Sequence, residues 1–252
     1  MPKDYKFFEN LTYEDFQAMA LNQELSSFEK IGFPDAYRDL YEQHIFEDVQ
    51  LKMPALLQRD SVVFDIGCGC STLPNLLIQS ASKLNQKLIL LDSFEMLSQL
   101  PESGSPLIRK FPARYPDCPD LLQELKGRVD AAIVYSVIQY VFAEGNIFDF
   151  LDRTLELLAP GGRILIGDIP NISMRKRFFS SETGIKSHQE FTNSNDIPNI
   201  EFNKIEAKQI DDSIMMSIVQ RARSAGFHAF LLPQAKNLPM SNRREDILIV
   251  RP

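Results

Sequence analysis

The fold of this chain is decided by one stretch, Val62-Val63-Phe64-Asp65-Ile66-Gly67-Cys68-Gly69-Cys70-Ser71. Its first five residues are mostly β-branched or aromatic and predict a buried strand, and the glycines that follow predict a turn into a helix. Glycines at positions 67 and 69 allow backbone N–H groups to approach a ligand, and the start of the next helix adds a positive dipole. The stretch therefore predicts a loop that binds a nucleotide-like cofactor.

Short β-rich runs alternate with helical segments downstream of this loop. We predict strands over residues 88–92, 107–111, 130–135 and 163–168, and a helix over residues 147–158 before the turn Ala159-Pro160-Gly161-Gly162. Alternation of this kind is typical of a parallel sheet that is covered by helices on both faces.

The C-terminal part departs from the alternation. A helix predicted over residues 211–225 stops at Gly226, and two strands follow over residues 227–232 and 246–251. Because the loop between these strands is too short for a crossover helix, we predict that they pair antiparallel. The expected fold class is α/β, with a seven-stranded, mostly parallel, doubly wound sheet and an antiparallel last strand.

Two segments lie outside the core of this pattern. Residues 11–58 show helical spacing and no strand-like run, which predicts a helical N-terminal extension over residues 1–58 that packs on a core of residues 59–252. Residues 169–209 carry scattered Asn, Ser and Lys without sustained periodicity. We predict an irregular insertion there, after the fifth strand, that serves as a lid or faces the substrate.

Composition narrows the class of partner. The chain has 252 residues, 44% of them apolar, and a formal charge of −7, which disfavours DNA or RNA as a partner because phosphate binding uses clustered Lys and Arg. The three cysteines favour a reducing compartment, and we expect the cytoplasm. Cys68, Cys70 and Cys118 lack the spacing of a zinc site, so we expect no metal. No apolar run is long enough for a membrane span. The oligomeric state is not indicated.

Two acidic residues narrow the class of cofactor that the loop is expected to bind. Asp65 precedes the first glycine and suits a cofactor with a positive amino acid end, although it can also simply organise the loop. Asp92 closes the next predicted strand, where a carboxylate can accept hydrogen bonds from both ribose hydroxyls or lie at a solvated strand end. The dinucleotide fingerprint requires a third glycine where Thr72 stands, which disfavours NAD and FAD.

Four stretches resemble, in the same order, the motifs of class I S-adenosylmethionine-dependent methyltransferases of the Rossmann-like type. Residues 62–71 are similar to motif I, Asp92 with Met96 and Leu97 to the next motif, residues 130–141 to the fourth strand and its exit, and residues 158–166 to the fifth-strand motif. The resemblance covers roughly residues 60–170. It implies S-adenosyl-L-methionine as the cofactor and methyl transfer as the activity.

The resemblance also implies which residues bind the cofactor. They are Asp65, Gly67, Gly69 and Ser71 around its methionine part, Asp92 at its ribose, Ser93 at the start of the segment beside its adenine, Ala113 at the adenine, and Ser136 near its sulfonium. The family's usual acidic contact to adenine is missing directly after the third strand. Backbone groups of Ala113 or Arg114 are the expected replacement.

Three residues are candidates for a general base. His44 is expected on the apolar face of the extension's helix, His188 lies in the predicted insertion, and Asp168 ends the fifth strand at the carboxyl edge of the sheet. We expect a small-molecule acceptor, a sugar or a biosynthetic intermediate. The alternatives are a non-catalytic regulator that binds S-adenosylmethionine and, disfavoured by Thr72 and Asp65, a nicotinamide oxidoreductase.

Overall fold

The computed structural model describes residues 5–8 and 10–252, so residues 1–4 and 9 of the predicted extension lie outside the described residues. Within them one seven-stranded sheet has the strand order β3-β2-β1-β4-β5-β7-β6. The strands are β1 (Val62–Ile66), β2 (Lys87–Asp92), β3 (Ile108–Pro112), β4 (Val129–Tyr135), β5 (Leu158–Pro170), β6 (His228–Pro233) and β7 (Arg244–Val250).

The pairing of the strands confirms the predicted fold class. Strands β1 to β5 run parallel, with Phe64 of β1 opposite Ile89 of β2 and Ala132 of β4. Strand β7 runs antiparallel to both of its neighbours, β5 and β6. The predicted turn at residues 159–162 instead belongs to β5, because the backbones of Gly161 and Gly162 exchange hydrogen bonds with Arg251.

Helices precede the sheet and connect its strands. They are α1 (Tyr13–Leu21), α2 (Ser27–Lys30), α3 (Glu42–Lys52), α4 (Thr72–Leu84), α5 (Phe94–Leu97), α6 (Pro119–Leu125), α7 (Ile138–Glu144), α8 (Ile147–Leu155), α9 (Ile172–Phe179), α10 (Glu182–Thr192) and α11 (Asp212–Ser224), with 3-10 turns at Tyr5–Phe8, Asp35–Tyr37 and Pro54–Leu57. None of the helices in the described part of the chain has the length and apolar character that crossing a membrane requires.

The sheet separates two hydrophobic cores. Successive strand residues point to opposite faces, so Phe64 and Ile66 pack with helices α6, α8 and α11 while Val63 faces the other side. On that other side, α3 contributes Ile45 and Val49, both fully buried, to a core shared with α4. The helices before β1 therefore pack on the sheet, and their separation from the core at residue 58 stays a prediction.

The segment predicted as an irregular insertion is helical in two places. Helix α9 begins after Asn171, whose side chain accepts hydrogen bonds from two backbone N–H groups of the first turn, and α10 begins after Ser181, which caps it in the same way. The expectation of irregular structure is therefore wrong for these two helices. Both bury few residues, mainly Lys176 and Gly184, so they lack the apolar stripe from which a helix is predicted in a sequence.

A buried ion cluster ties the extension to the sheet. The Lys52 ammonium donates to Asp48 and, at 2.6 Å, to Oδ2 of Asp246, a side chain of β7 with no solvent exposure. The other oxygen of Asp246 accepts a hydrogen bond from the backbone N–H of Asp168 at 2.8 Å. The C-terminal end of α3 is thus fixed to strands β7 and β5.

We expect Lys52→Ala to lower the free energy of unfolding by roughly 3–5 kcal/mol, because it leaves the buried carboxylate of Asp246 without a counter-charge. The measurement is urea denaturation followed by circular dichroism. Lys126→Ala is the matched control, since the Lys126–Glu156 pair is exposed on both sides and such pairs contribute about 0–1 kcal/mol. Equal losses in the two variants would contradict the structural role of Lys52.

Candidate functional site

A cavity of about 490 Å³ opens at the carboxyl edge of the sheet. Its floor is formed by the ends of β1, β2 and β4 with the loops that follow them, and its roof by the segment that precedes β1. The lining includes Gly67, Gly69, Ser71, Asp92, Met96, Ala113, Arg114, Asp117, Ser136 and Tyr140 from the sheet side, and Tyr13, Phe16, Ile31, Phe33, Arg38 and Glu42 from the extension. This is the edge at which open α/β sheets bind ligands.

Both glycines of the loop after β1 are required by backbone conformation and by space. Gly67 and Gly69 have φ of +71° and +64°, and a Cβ on them would lie 2.6 Å from Val137 and 2.7 Å from Ile31. Their N–H groups donate to the carbonyl of Leu91 and to the carboxylate of Asp92, both on β2. The amides of these two glycines are therefore already paired within the protein, because the loop folds back onto the neighbouring strand.

The carboxylate of Asp92 lines the cavity at the end of β2. Oδ2 accepts from the N–H of Gly69 at 2.8 Å and Oδ1 from the N–H of Ser93 at 2.7 Å. Burial raises the pKa of Asp92 to about 6, and the two N–H groups oppose this rise. Each oxygen keeps a further lone pair, so the carboxylate can still accept hydrogen bonds from a diol.

Asp65 and Ser93 lie beneath the cavity rather than in its wall. Asp65 is 3% exposed, and burial, followed by the charge of Asp92, raises its pKa to about 8. The hydroxyl of Ser93 accepts a hydrogen bond from the N–H of Met96 and so caps α5. The other six residues that the resemblance assigns to the cofactor, Gly67, Gly69, Ser71, Asp92, Ala113 and Ser136, all line the cavity.

The wall for which the resemblance implies an adenine contact differs from the expectation in one respect. The N–H of Ala113 donates to the carbonyl of Asp92 at 3.0 Å, so this group is not available to a ligand. Asp117, which follows the third strand late in sequence, nevertheless reaches the cavity wall. The guanidinium of Arg114 stacks on the Tyr13 ring at 4.9 Å and pairs with Glu144 at 3.2 Å, which closes this end of the cavity.

A network of buried charges joins the roof to the floor. Nη2 of Arg38 donates to Ser136 Oγ at 2.6 Å and to Asp168 Oδ2 at 2.9 Å, and the hydroxyl of Ser136 donates to the same Oδ2 at 2.5 Å. Arg244 contributes a second guanidinium, 2.8 Å from Oδ2 of Asp168. Ser136 and Asp168 both have left-handed backbones, with φ of 60° and 59°. Residues other than glycine keep this strained backbone conformation where the surrounding contacts hold them in it.

Glu42 presents an unpaired oxygen to the cavity. Its Oε2 accepts from the N–H of Leu73 at 2.7 Å and from the hydroxyl of Ser71 at 3.1 Å. Its Oε1 and the Nε of Arg38 are buried without a hydrogen-bond partner in the described residues. Burial raises the pKa of Glu42, and the charge of Arg38 opposes this rise. Oε1 lies 3.7 Å from Nη1 of Arg38, an ion pair too long for a hydrogen bond, so an acceptor and a donor without hydrogen bonds remain on neighbouring side chains and fit a ligand that carries both an ammonium and a carboxylate.

The structure places the three base candidates away from the cavity wall. The expectation that His44 lies on the apolar face is wrong: its side chain is 49% exposed and lies beside Glu47, since the buried face of α3 is formed by Ile45 and Val49. The ring of His188 packs against Phe179. Asp168 is 2% exposed and accepts hydrogen bonds from several side chains, which makes it a structural anchor of the network.

Several lining residues escaped the sequence analysis. Arg38 and Glu42 are four residues apart and lie within hydrogen-bond reach of the loop and strand ends, and Phe33 forms an aromatic wall. The i, i+4 spacing of opposite charges was a visible signal, but on a helix it is more often a solvated pair. Only the packing of the extension reveals that these charges are buried.

Comparisons with known proteins support the fold. No protein-family model matches the chain, and no curated protein matches its sequence. The solved plantazolicin methyltransferase BpumL, in complex with a monoazolic desmethylPZN analog and SAH, superposes with a TM-score of 0.57 at 11% identity over 95% of this chain and 97% of BpumL.

Two further structures resemble the chain in the same way. The CurJ carbon methyltransferase gives a TM-score of 0.56 at 14% identity over 94% of this chain and 63% of its own. The methyltransferase domain of bacterial CtHen1-C gives 0.53 at 16% identity over 84% and 98%. Together with the strand order and the reversed seventh strand, these likenesses show that the chain has the fold of class I S-adenosylmethionine-dependent methyltransferases.

Proposed function

We propose that this protein is an S-adenosylmethionine-dependent methyltransferase that acts on a small-molecule acceptor. The observation that carries the proposal is the convergence of the Gly67–Gly69 loop, Asp92 and the unpaired oxygen of Glu42 in one cavity. A solved structure with this fold, BpumL, is in complex with SAH. The cavity lies within the usual size of pockets that enclose small ligands, about 300–1,000 Å³.

The lining residues offer a partner for each part of this cofactor. Glu42 Oε1 and Arg38 Nε would pair with its ammonium and carboxylate, next to Ser71. The free lone pairs of Asp92 would accept hydrogen bonds from its ribose hydroxyls. Met96, 2% exposed, would pack against its adenine.

The cofactor supplies a methyl group already activated on a sulfonium, so the chain's residues mainly align the acceptor. Tyr140 and Ser136, which follow β4, line the wall where the acceptor would lie, and the Tyr140 ring is held by an edge contact with Phe16 at 4.9 Å. Alignment of reacting groups can lower a barrier by about 7–11 kcal/mol. We infer that orientation, and exclusion of water by the aromatic roof, provide most of the rate enhancement.

No histidine of the described residues lines the cavity, which bears on the choice of acceptor atom. The basic candidates His44 and His188 lie outside it, so we do not retain them as general bases. An acceptor atom that is nucleophilic without deprotonation fits this arrangement. The same observation favours the second candidate function, a regulator that binds S-adenosylmethionine without transferring its methyl group.

The first test is calorimetric titration with S-adenosylmethionine, S-adenosylhomocysteine and NADH. We expect dissociation constants of order micromolar, about −8 kcal/mol, for the first two ligands and no binding of NADH. Absence of binding by both methionine-derived ligands would refute the proposal. Binding without turnover in a screen of acceptors would favour the regulator.

A second prediction tests the amino acid end of the cofactor separately from its ribose. Glu42→Gln removes the charge next to the expected ammonium but keeps the shape, so we expect S-adenosylhomocysteine to bind roughly tenfold more weakly, about 1.4 kcal/mol. Binding of 5′-methylthioadenosine, which has no amino acid end, should not change. Asp92→Ala is the contrasting variant, because it should weaken both ligands. An equal loss of both ligands in Glu42→Gln would contradict the assignment.

A third prediction concerns pH. The ionised carboxylate of Asp92 is the better acceptor for ribose hydroxyls, so the ligand binds the deprotonated form and lowers the pKa from about 6. We therefore expect the affinity for S-adenosylhomocysteine to rise between about pH 5 and about pH 7, with proton release that calorimetry in two buffers detects. Asp92→Asn should flatten this rise. An affinity that falls over the same range would contradict the role of Asp92.

A further inference from the structure

Four arginines gather where the roof of the cavity meets the ends of β5 and β7. We call Arg38, Arg175, Arg243 and Arg244 the arginine cluster. Phe33, which lines the cavity and is 5% exposed, lies between two of them: its ring centroid is 4.1 Å from the guanidinium carbon of Arg38 and 5.4 Å from that of Arg244. Arg38 therefore lines the cavity itself, and Arg244 lies one aromatic ring away from it.

The cluster extends outward through a second ring. The Phe179 ring of α9 is contacted by Arg175 at 5.3 Å and by Arg243 at 5.6 Å, and Arg243 precedes Arg244 in the chain. Arg175 is exposed, Arg243 half-buried, and the side chain of Arg244 is 11% exposed. The positive charges thus run from the protein surface to the cavity wall.

The positive charge of the cluster is not balanced by neighbouring carboxylates. Asp168 serves both Arg38 and Arg244, and Glu42 lies 3.7 Å from Arg38. No carboxylate in residues 5–8 and 10–252 lies within 4.0 Å of the guanidinium groups of Arg175 or Arg243. In a chain with a net charge of −7, the cluster thus has four guanidiniums but only two carboxylates within 4.0 Å of them in the described residues, which is a local excess of positive charge.

Donor groups of the cluster also remain available. Within the described residues, Nη1 of Arg244 donates a hydrogen bond to the carbonyl of Asp168 and lies 2.8 Å from its Oδ2, and Nε and Nη2 of Arg244 make no hydrogen bond there. Burial, together with the charges of Arg244 and Arg175, lowers the pKa of Arg243, as expected where like charges gather. Guanidinium groups in such surroundings bind carboxylate and phosphate groups through paired N–H donors.

We propose that the acceptor of the methyl group carries a carboxylate or a phosphate, and that the arginine cluster binds this anion while Phe33 and Tyr140 hold the rest of the molecule. This inference rests on the proposed methyltransferase function, since it places the anion beside the wall that follows β4. It specifies the class of acceptor as an anionic small molecule. Arg175 and Arg243 attract the anion at the entrance, and Arg244 binds it near the cavity.

The test uses the full chain saturated with S-adenosylhomocysteine and three aromatic probes of similar size: benzoate, phenyl phosphate and neutral benzamide. Binding is measured by ligand-observed NMR at constant ionic strength. We expect at least one of the two anions to bind about tenfold more tightly than benzamide, which corresponds to about 1.4 kcal/mol. The anion that binds more tightly shows whether the site prefers a carboxylate or a phosphate.

Two variants and a matched control locate the anion. Arg175→Gln and Arg243→Gln should each weaken binding of the preferred anion about threefold to tenfold, with benzamide unchanged. Arg177→Gln removes one positive charge from the same helix, but Arg177 is paired with Asp212, so anion binding should persist. The proposal is overturned if the anions bind no better than benzamide, or if Arg177→Gln lowers the affinity as much as Arg175→Gln.

The binding of S-adenosylhomocysteine is measured separately by calorimetry, which keeps the two proposals distinguishable. If this ligand binds and the anions show no preference, only the class of acceptor is refuted. If it does not bind, the methyltransferase function is refuted whatever the arginine cluster binds. The variants that test the anion site leave Glu42 and Asp92, the residues proposed to bind the cofactor, unchanged.

Discussion

The arrangement of the site depends on the buried carboxylate of Asp168. It accepts hydrogen bonds from Arg38 of the extension and Ser136 at the exit of β4, and pairs with Arg244 of β7, so three distant parts of the chain meet at one side chain. Buried ion pairs add little stability compared with apolar packing, but removal of one partner is costly. Their contribution is therefore to fix one geometry, in which the extension lies over the carboxyl edge of the sheet.

The cavity has two kinds of wall, one formed by the edge of the sheet and one by the extension. The sheet edge supplies the tight glycine loop and Asp92, which are constrained by backbone geometry and by the hydrogen bond between them. The extension supplies Glu42 and the aromatic roof. We infer that the sheet edge binds the part of the cofactor common to enzymes of this fold, whereas the roof and the arginine cluster determine what else enters.

The electrostatics of the cavity differ along its length. Acidic side chains with raised pKa values, Asp92 and the buried Asp65, lie under the loop end, and their burial explains the rise. Guanidiniums in excess of carboxylates lie beyond Ser136. In the proposed arrangement the positive amino acid end of the cofactor would meet Glu42, and an anionic acceptor would meet the arginine cluster, so each ligand would find a group of opposite charge.

The pattern of residues was sufficient to predict the fold and the position of the glycine loop, because alternating apolar runs and glycines at turns act through local geometry and the side-chain period of strands. The places of Gly67, Gly69 and Asp92 at the ends of their strands could be predicted in this way, whereas their role in binding the cofactor stays a proposal. Three kinds of feature could not be predicted, because they depend on how distant parts of the chain pack. Helices α9 and α10 bury too little to leave a pattern. The orientation of His44 depends on which face of α3 packs on the core. The meeting of Arg38, Asp168 and Arg244 joins residues that are 130 positions apart in one contact and 76 in the other, and no local pattern encodes such contacts, because they form only when the whole sheet and the extension are packed together.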